Sequence, residues 1–319
     1  MRELLATTPE MLWLFGGLVG LLAVASTIGA MLSRRAGTPQ SIEVRANLVA
    51  RINAWWVMVA VLAVTFLLGR AVTLVVFGLM AWFALREFVT LTPTRTADRL
   101  PLSVAFFVVV PAQFLLIGLD QYGTFSIFVP VYAFLLLPAI AALRGDVDDF
   151  LPRTAKLQWG LMITVYCLSH APALLLLQVP GFEGRDALLL FYLLLVVQMS
   201  DVMQYVFGKL MGKTKIAPVV SPSKTVEGFV GGGLAATAFG AAMWWITPFT
   251  PLESAALAAA IVVMGFLGGL TLSAVKRSLG AKDWGVMIEG HGGMLDRLDS
   301  VCFAAPVFFH LVRFFHSVA

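Results

Sequence analysis

Charge is scarce in this chain. Asp, Glu, Lys and Arg make up 13% of its 319 residues, about half the ~25% of soluble domains. Histidine and cysteine are scarcer, at four and two. Cys167 and Cys302 both fall in apolar runs, which excludes a disulfide framework and a cysteine-based zinc site. The sequence shows no low-complexity tail, no internal repeat, and no inverted pair of broken apolar segments of the kind transporters use. What fills it is hydrophobic sequence, 60% of residues, with a mean hydropathy of +0.90. The apolar runs recur at spanning length, about 18 residues or more. They are continuous and not alternating, which excludes a β-barrel.

The expected fold is therefore all-α, a polytopic membrane helical bundle. Ten candidate transmembrane helices lie at roughly 11–32, 54–69, 71–91, 101–119, 124–143, 157–178, 186–202, 228–247, 254–275 and 298–316. Mapped onto these spans, the net charge of +4 is very uneven. One set of alternate loops holds Arg34, Arg35, Arg45 and Arg51, then Arg86, Arg95 and Arg99, then Arg144, Arg153 and Lys156. It goes on with Lys209, Lys213, Lys215 and Lys224, and finally Lys276, Arg277, Lys282 and Arg297. The other set holds Arg2, Arg70, Arg185 and Arg313. The positive-inside rule puts the first set in the cytoplasm and both termini outside. Two regions follow: hydrophobic spans over 1–180, and a chemistry-bearing transmembrane region over 181–319 with a cytoplasm-facing site.

The first region names no function. Its first apolar segment reads as a retained anchor, since no small-residue cleavage site follows it. Ile42–Ile52 reads equally as an interfacial helix or a pre-span segment. Asp146, Asp148 and Asp149 read as a solvated turn in preference to a cation site. Arg86-Glu87 reads as a neutralising pair at the interface. The spacings Gly16/Gly20 and Gly228/Gly232 suggest close helix packing, and packing is also the reading for Gly231-Gly232-Gly233.

The second region has two polar stretches. In the first, Ser200-Asp201 closes an apolar run, which costs roughly 2.5–3.5 kcal/mol for a carboxylate at the bilayer centre and less near its edge. A metal or an internal partner offsets that cost. Gln204-Tyr205 and Gly208 follow, then Lys213, Lys215, Pro218 and Ser221-Pro222-Ser223-Lys224-Thr225. The hydroxyls and ammonium of this last run suit phosphate oxygens; alone, the run reads as well as a helix N-cap. Gly208-x3-Gly212-Lys213-Thr214 is one residue short of a phosphate loop and follows no strand, so it is rejected. In the second stretch, Ser273, Lys276, Arg277, Lys282 and Asp283 precede His291-Gly292-Gly293, Asp296, Arg297 and Asp299. Asp296 and Asp299 share one helix face. Carboxylates without enough His or Cys suit Mg²⁺ over Zn²⁺. Lysine and arginine beside them suit a polyphosphate, so the combination argues for a metal–nucleotide site at the cytoplasmic surface. His291 suits a phosphate contact or a loop brace equally, and His170, His310 and His316 read as packed or interfacial.

At these residues the chain resembles the phosphatidate cytidylyltransferases, or CDP-diacylglycerol synthases. Across 273–299 one position departs from their pattern, Glu289, where Pro or Gly is usual. Upstream, Asp201, Tyr205, Gly208, Gly212, Lys213, Ala217, Pro218, Ser221, Pro222, Lys224, Thr225, Glu227 and Gly228 also fit, and Val202-Met203-Gln204 departs. The resemblance covers about residues 190–310 and implies an integral protein of the bacterial cytoplasmic membrane that converts CTP and phosphatidate to CDP-diacylglycerol and pyrophosphate. It implies Mg²⁺, with a second monovalent or divalent cation left open. The partners implied are CTP, phosphatidate and membrane lipids and no nucleic acid; a homodimer is left open. The residues expected to carry the chemistry are Asp296, Asp299, Asp283, Lys282 and Arg297. Ser221, Ser223, Lys224, Lys276, Arg277 and His291 are expected to hold phosphates, and Asp201, Asp283, Asp296 and Asp299 to ligate metal. The alternatives are a CTP-dependent enzyme with another lipid-phosphate acceptor, a CDP-alcohol phosphatidyltransferase, a polyprenol or other lipid kinase, and an inactive or transport-type relative. The phosphatidyltransferase needs an Asp-x3-Asp that is absent here. The last reading fits poorly, because no acid is missing from the motif.

Overall fold

The computed structural model describes residues 9–33, 39–287 and 292–317. Ten helices dominate it. They are α1 Pro9–Ser33, α2 Pro39–Leu67, α3 Arg70–Leu91, α4 Thr96–Gly118, α5 Tyr122–Ala142, α6 Phe150–Leu176, α7 Ala187–Met211, α8 Val226–Ala242, α9 Pro251–Ser278 and α10 Leu295–His316. Eight are long and apolar enough to cross a membrane; the apolar part of α2 (Ile52–Leu67) and α8 are shorter. All ten sequence-based spans are therefore helices. Residues 42–52 do not form a separate surface helix, because α2 runs unbroken through them.

Three of the helices are not regular. α4, α5 and α6 each contain a π-helical turn, at Ala105–Val109, Phe128–Ala133 and Met162–Cys167. Pro111 and Pro130 lie beside or within two of them, where a missing N–H leaves a helical hydrogen bond unmade. Among the described residues the all-α expectation has one local exception, a hairpin between α7 and α8. Its strands β1 Lys215–Ala217 and β2 Ser221–Thr225 pair antiparallel, Ala217 opposite Ser221 and Lys215 opposite Thr225.

α7, α8, α9 and α10 form the tightest group. The α7–α8 crossing brings backbones together: a Cβ on Gly232 would lie 2.4 Å from the Gln204 nitrogen, and one on Gly228 2.9 Å from its oxygen. The Gly228/Gly232 spacing is thus a packing surface, as its sequence suggested. Gly16 and Gly20 are different: among the described residues, a Cβ added at either would meet nothing within 4 Å beyond its own helix backbone. Further along, the buried Tyr192 hydroxyl lies 2.8 Å from the Ser254 carbonyl, and Ser254 Oγ 2.8 Å from the Gly240 carbonyl, tying α7, α8 and α9 together. α10 also packs on α3 and α6, so the first half of the chain supports the last helix.

The α3–α4 and α5–α6 junctions, including the first turns of α4 and α6, are joined by charge. Arg153 meets Asp98 at 3.2 Å and Asp146 at 3.1 Å, and Arg95 meets Asp148 at 2.9 Å. Two of the three clustered acids are thereby paired with arginines. Asp149 is exposed and left-handed at the start of α6. Both cysteines are free.

Candidate active site

The two polar stretches meet. Asp201 comes from α7, Lys224 from β2, and Asp299 and Ser300 from α10. Ser300 Oγ donates toward Asp201 Oδ1 at 3.2 Å and toward Asp299 Oδ1 at 3.4 Å, while the Ser300 N–H holds Asp299 Oδ1 at 2.7 Å. Lys224 Nζ points into the same space. It donates to the Phe266 carbonyl at 3.3 Å and sits 4.6 Å from the centre of the Phe266 ring. Gly269 of α9 leaves the room for this: a Cβ there would lie 2.9 Å from Lys224 Nζ, 3.6 Å from Asp299 Oδ2 and 3.7 Å from Ser300 Oγ.

Local chain logic explains how Lys224 is aimed. Thr225 caps α8, its hydroxyl accepting from the Gly228 N–H at 3.1 Å. Glu227, in the first turn, accepts from the N–H groups of Lys213 and Thr214 at 3.0 and 3.1 Å. The turn that mimics a phosphate loop is therefore closed by a carboxylate. With the cap made by Thr225, Lys224 is free to point inward, half-buried. Burial pushes its pKa below the usual lysine range, Asp299 and Asp201 pull it back up, and Lys276 pushes it down.

A second group braces the turn before α10. Lys276 Nζ and Asp296 Oδ1 are 2.6 Å apart, and both residues are buried. Asp296 Oδ2 accepts from the backbone N–H groups of Trp284 and Gly293 at 2.8 and 2.9 Å. Both Asp296 oxygens are thus engaged by the protein. Gly292 adopts φ +83°, and a Cβ there would lie 2.7 Å from Asp296 Oδ2 and 3.6 Å from Asp283 Cβ. Only glycine suits that backbone and that space.

The remaining expected residues lie around these two groups. Asp283 is exposed beside Gly292; Lys282 and Arg297 are exposed. Arg277 donates to the Ala281 carbonyl at 3.0 Å, closing the end of α9. Ser221 and Ser223 lie on β2, half-buried and exposed respectively, and β2 packs against α7, α8 and α9. His291 and Glu289 fall outside the described residues.

Two contributors escaped the sequence reading. Ser300 is one; it follows Asp299 directly but belongs to no motif that was singled out. Glu87 is the other. It is not neutralised by Arg86, which is exposed. Glu87 Oε1 and Oε2 instead accept from the Met294 and Leu295 N–H groups at 2.8 and 2.9 Å. No sequence signal could pair residues two hundred positions apart.

Among the described residues, no three of His, Cys, Asp and Glu converge as a ready metal cage. The bundle instead offers two carboxylates sharing one serine, with a lysine opposite. Such a donor set suits Mg²⁺, which keeps waters and completes its shell with substrate phosphates.

These features are those of a helical membrane protein in which α7, β2 and α10 bring two carboxylates, a serine and a lysine together. Residues 49–315 match the model of the cytidylyltransferase family, and the chain belongs to that family. It is accordingly a nucleotidyltransferase. It is 36% identical over 301 residues to an uncharacterized protein, YnbB, of Escherichia coli K12, covering 93% of this chain and 96% of that one. It is 36% identical over 157 residues to the phosphatidate cytidylyltransferase of Staphylococcus aureus, covering 48% of this chain and 60% of that enzyme. With the Staphylococcus haemolyticus phosphatidate cytidylyltransferase the identity is 42% over 120 residues, covering 37% and 46%.

Proposed function

We propose that the chain transfers CMP from CTP to phosphatidate. The phosphatidate oxygen attacks the α-phosphorus of CTP, a new P–O bond forms, and the α–β bridging bond breaks to release pyrophosphate. The products are CDP-diacylglycerol and pyrophosphate. The observation that carries this reading is the meeting of Asp201, Lys224, Asp299 and Ser300 from three separate elements.

The reaction needs little proton chemistry. The second pKa of a phosphate monoester is roughly 6, so the attacking oxygen is anionic at neutral pH. Catalysis then consists of holding two anions in line and neutralising the charge that develops. Lys224 and the β2 hydroxyls of Ser221 and Ser223 are assigned to the triphosphate. The exposed Lys282, Arg277 and Arg297, with His291, are assigned to approaching phosphates. Asp201 and Asp299 would hold Mg²⁺, with a second monovalent or divalent cation optional and Asp283 at the margin. Bound there, the metal would supply charge neutralisation to the leaving pyrophosphate. Asp296 is assigned to bracing the turn through Lys276, Trp284 and Gly293. The site is assigned to the cytoplasmic side, on the distribution of basic loops.

The test is incubation of the purified chain with CTP labelled in the base, Mg²⁺ and phosphatidate. The expected product is a chloroform-soluble CMP lipid with equimolar pyrophosphate. Parallel tubes carry other lipid phosphates. Label moving only to one of those would replace phosphatidate as acceptor, and no lipid-soluble label in any tube would overturn the reading.

A further inference from the structure

Glu87 lies at the end of α3, in the half of the chain where the sequence shows only apolar spans. Its carboxylate reaches the first turn of α10, the helix that carries Asp296 and Asp299. α10 has no side-chain cap of its own, because Met294 occupies that position. Glu87 takes the role from outside, accepting from the Met294 and Leu295 N–H groups at 2.8 and 2.9 Å. A carboxylate at a helix N-terminus satisfies free donors and meets the positive end of the helix dipole.

The glycines around it fit this role. A Cβ on Gly293 would fall 2.4 Å from Glu87 Oε2, and one on Gly285 2.8 Å from Oε1. Gly293 is thus held between two carboxylates: Asp296 takes its N–H, and Glu87 fills the space its side chain would need. The neighbouring Phe88 grips the same loop. Its ring centre lies 5.5 Å from that of the buried Trp284 and 5.7 Å from that of Trp159 on α6. Trp284 is the residue whose N–H holds Asp296.

We propose that Glu87 is a positioning residue for the nucleotidyl transfer. It fixes the axial position of α10, and hence of Asp299, from the otherwise apolar first half of the chain. This rests on the reaction proposed above, and the test separates the two. Full-length Glu87→Gln, Glu87→Asp and Arg86→Gln proteins are purified, with Arg86→Gln as the exposed neighbour control. Amide exchange of Met294 and Leu295 is followed alongside kcat, the KM for CTP and the melting temperature. Glu87→Gln should speed exchange of both amides about ten-fold. It should lower kcat by about ten- to a hundred-fold, the scale of a misplacement of about an ångström, with the KM for CTP within about two-fold of wild type. Glu87→Asp should recover part of both, and Arg86→Gln neither lose nor gain.

Unchanged exchange in Glu87→Gln would overturn the contact. Faster exchange with unchanged kcat, or a kcat loss that only follows a fall in melting temperature, would overturn the positioning role. If the wild-type chain transfers nothing to any lipid phosphate, the reaction reading fails. Exchange then decides the Glu87 contact by itself.

Discussion

Replacing Asp296 with Asn tests the brace of the turn before α10, and the structure sets the size of the effect. The carboxylate faces an ammonium on one oxygen and two backbone N–H donors on the other. Asparagine has one acceptor oxygen. If that oxygen turns to Trp284 and Gly293, the amide NH₂ faces Lys276 and leaves a buried cation unpaired. If it turns to Lys276, two buried donors go unsatisfied. Breaking a buried pair from one side costs about 3–5 kcal/mol, and stranding a buried donor about 1–3 kcal/mol. For a fold above the lower end of the usual range of about 5–15 kcal/mol, either cost loosens the turn and leaves the bundle folded. Carried into the barrier at about 1.4 kcal/mol per decade, the first cost lowers turnover by roughly 10²- to 4 × 10³-fold. The double variant with Lys276→Met should recover much of the stability, since the stranded charge is gone, but not the turnover. Thermal melts and pyrophosphate release measure the two quantities. An Asp296→Asn protein with wild-type melting and wild-type release would refute the brace.

Two further outcomes follow from the same geometry. Lys224 carries its charge below its lowered pKa, so as pH rises through that value the charge is lost and the KM for CTP rises, at lower pH than an ordinary lysine would give. Folded stability moves the other way, increasing with pH between that value and the usual lysine range, because the unfolded chain there holds more protons. Lys224→Arg keeps its charge throughout and should show a flat KM across the alkaline limb; matching limbs in the two proteins would remove Lys224 from triphosphate binding. Gly232→Val puts carbon where the Gln204 backbone lies 2.4 Å from even a Cβ. Forcing α7 and α8 apart costs typically 1–3 kcal/mol and should lower the melting temperature and carry Asp201 away from Ser300; an unperturbed melt would contradict the packing.

How much of this was legible in the sequence depended on distance along the chain. The ten helices were readable because hydropathy is a local property and a lipid environment demands internally bonded backbone. The pairing of Gly228 with Gly232 was readable because small residues at four-residue spacing mark a close crossing. Gly16 and Gly20, where an added Cβ would meet no neighbour among the described residues, show that the same spacing does not identify one. Asp201, Lys224 and Asp299 were legible as polar residues out of place, and their meeting was an inference that the α7–β2–α10 arrangement supplies. The separate duty of Asp296 was not legible, since two acids on one helix face look equivalent until Lys276, Trp284 and Gly293 take both oxygens of one of them. Glu87 was misread for the same reason. Its sequence neighbour Arg86 offered a simple partner, whereas the donors it meets are backbone groups on a helix that begins near residue 295.

The account rests on Asp201 and Asp299 acting on the same substrate. The most direct measurement is transfer of labelled CMP from CTP to phosphatidate by the wild-type chain, by Asp201→Asn and by Asp299→Asn, each verified as folded by its melt. Lipid-soluble label from wild type, with a loss of about a hundred-fold or more in both variants, is the predicted result. Full transfer by Asp201→Asn while Asp299→Asn is silent would contradict it.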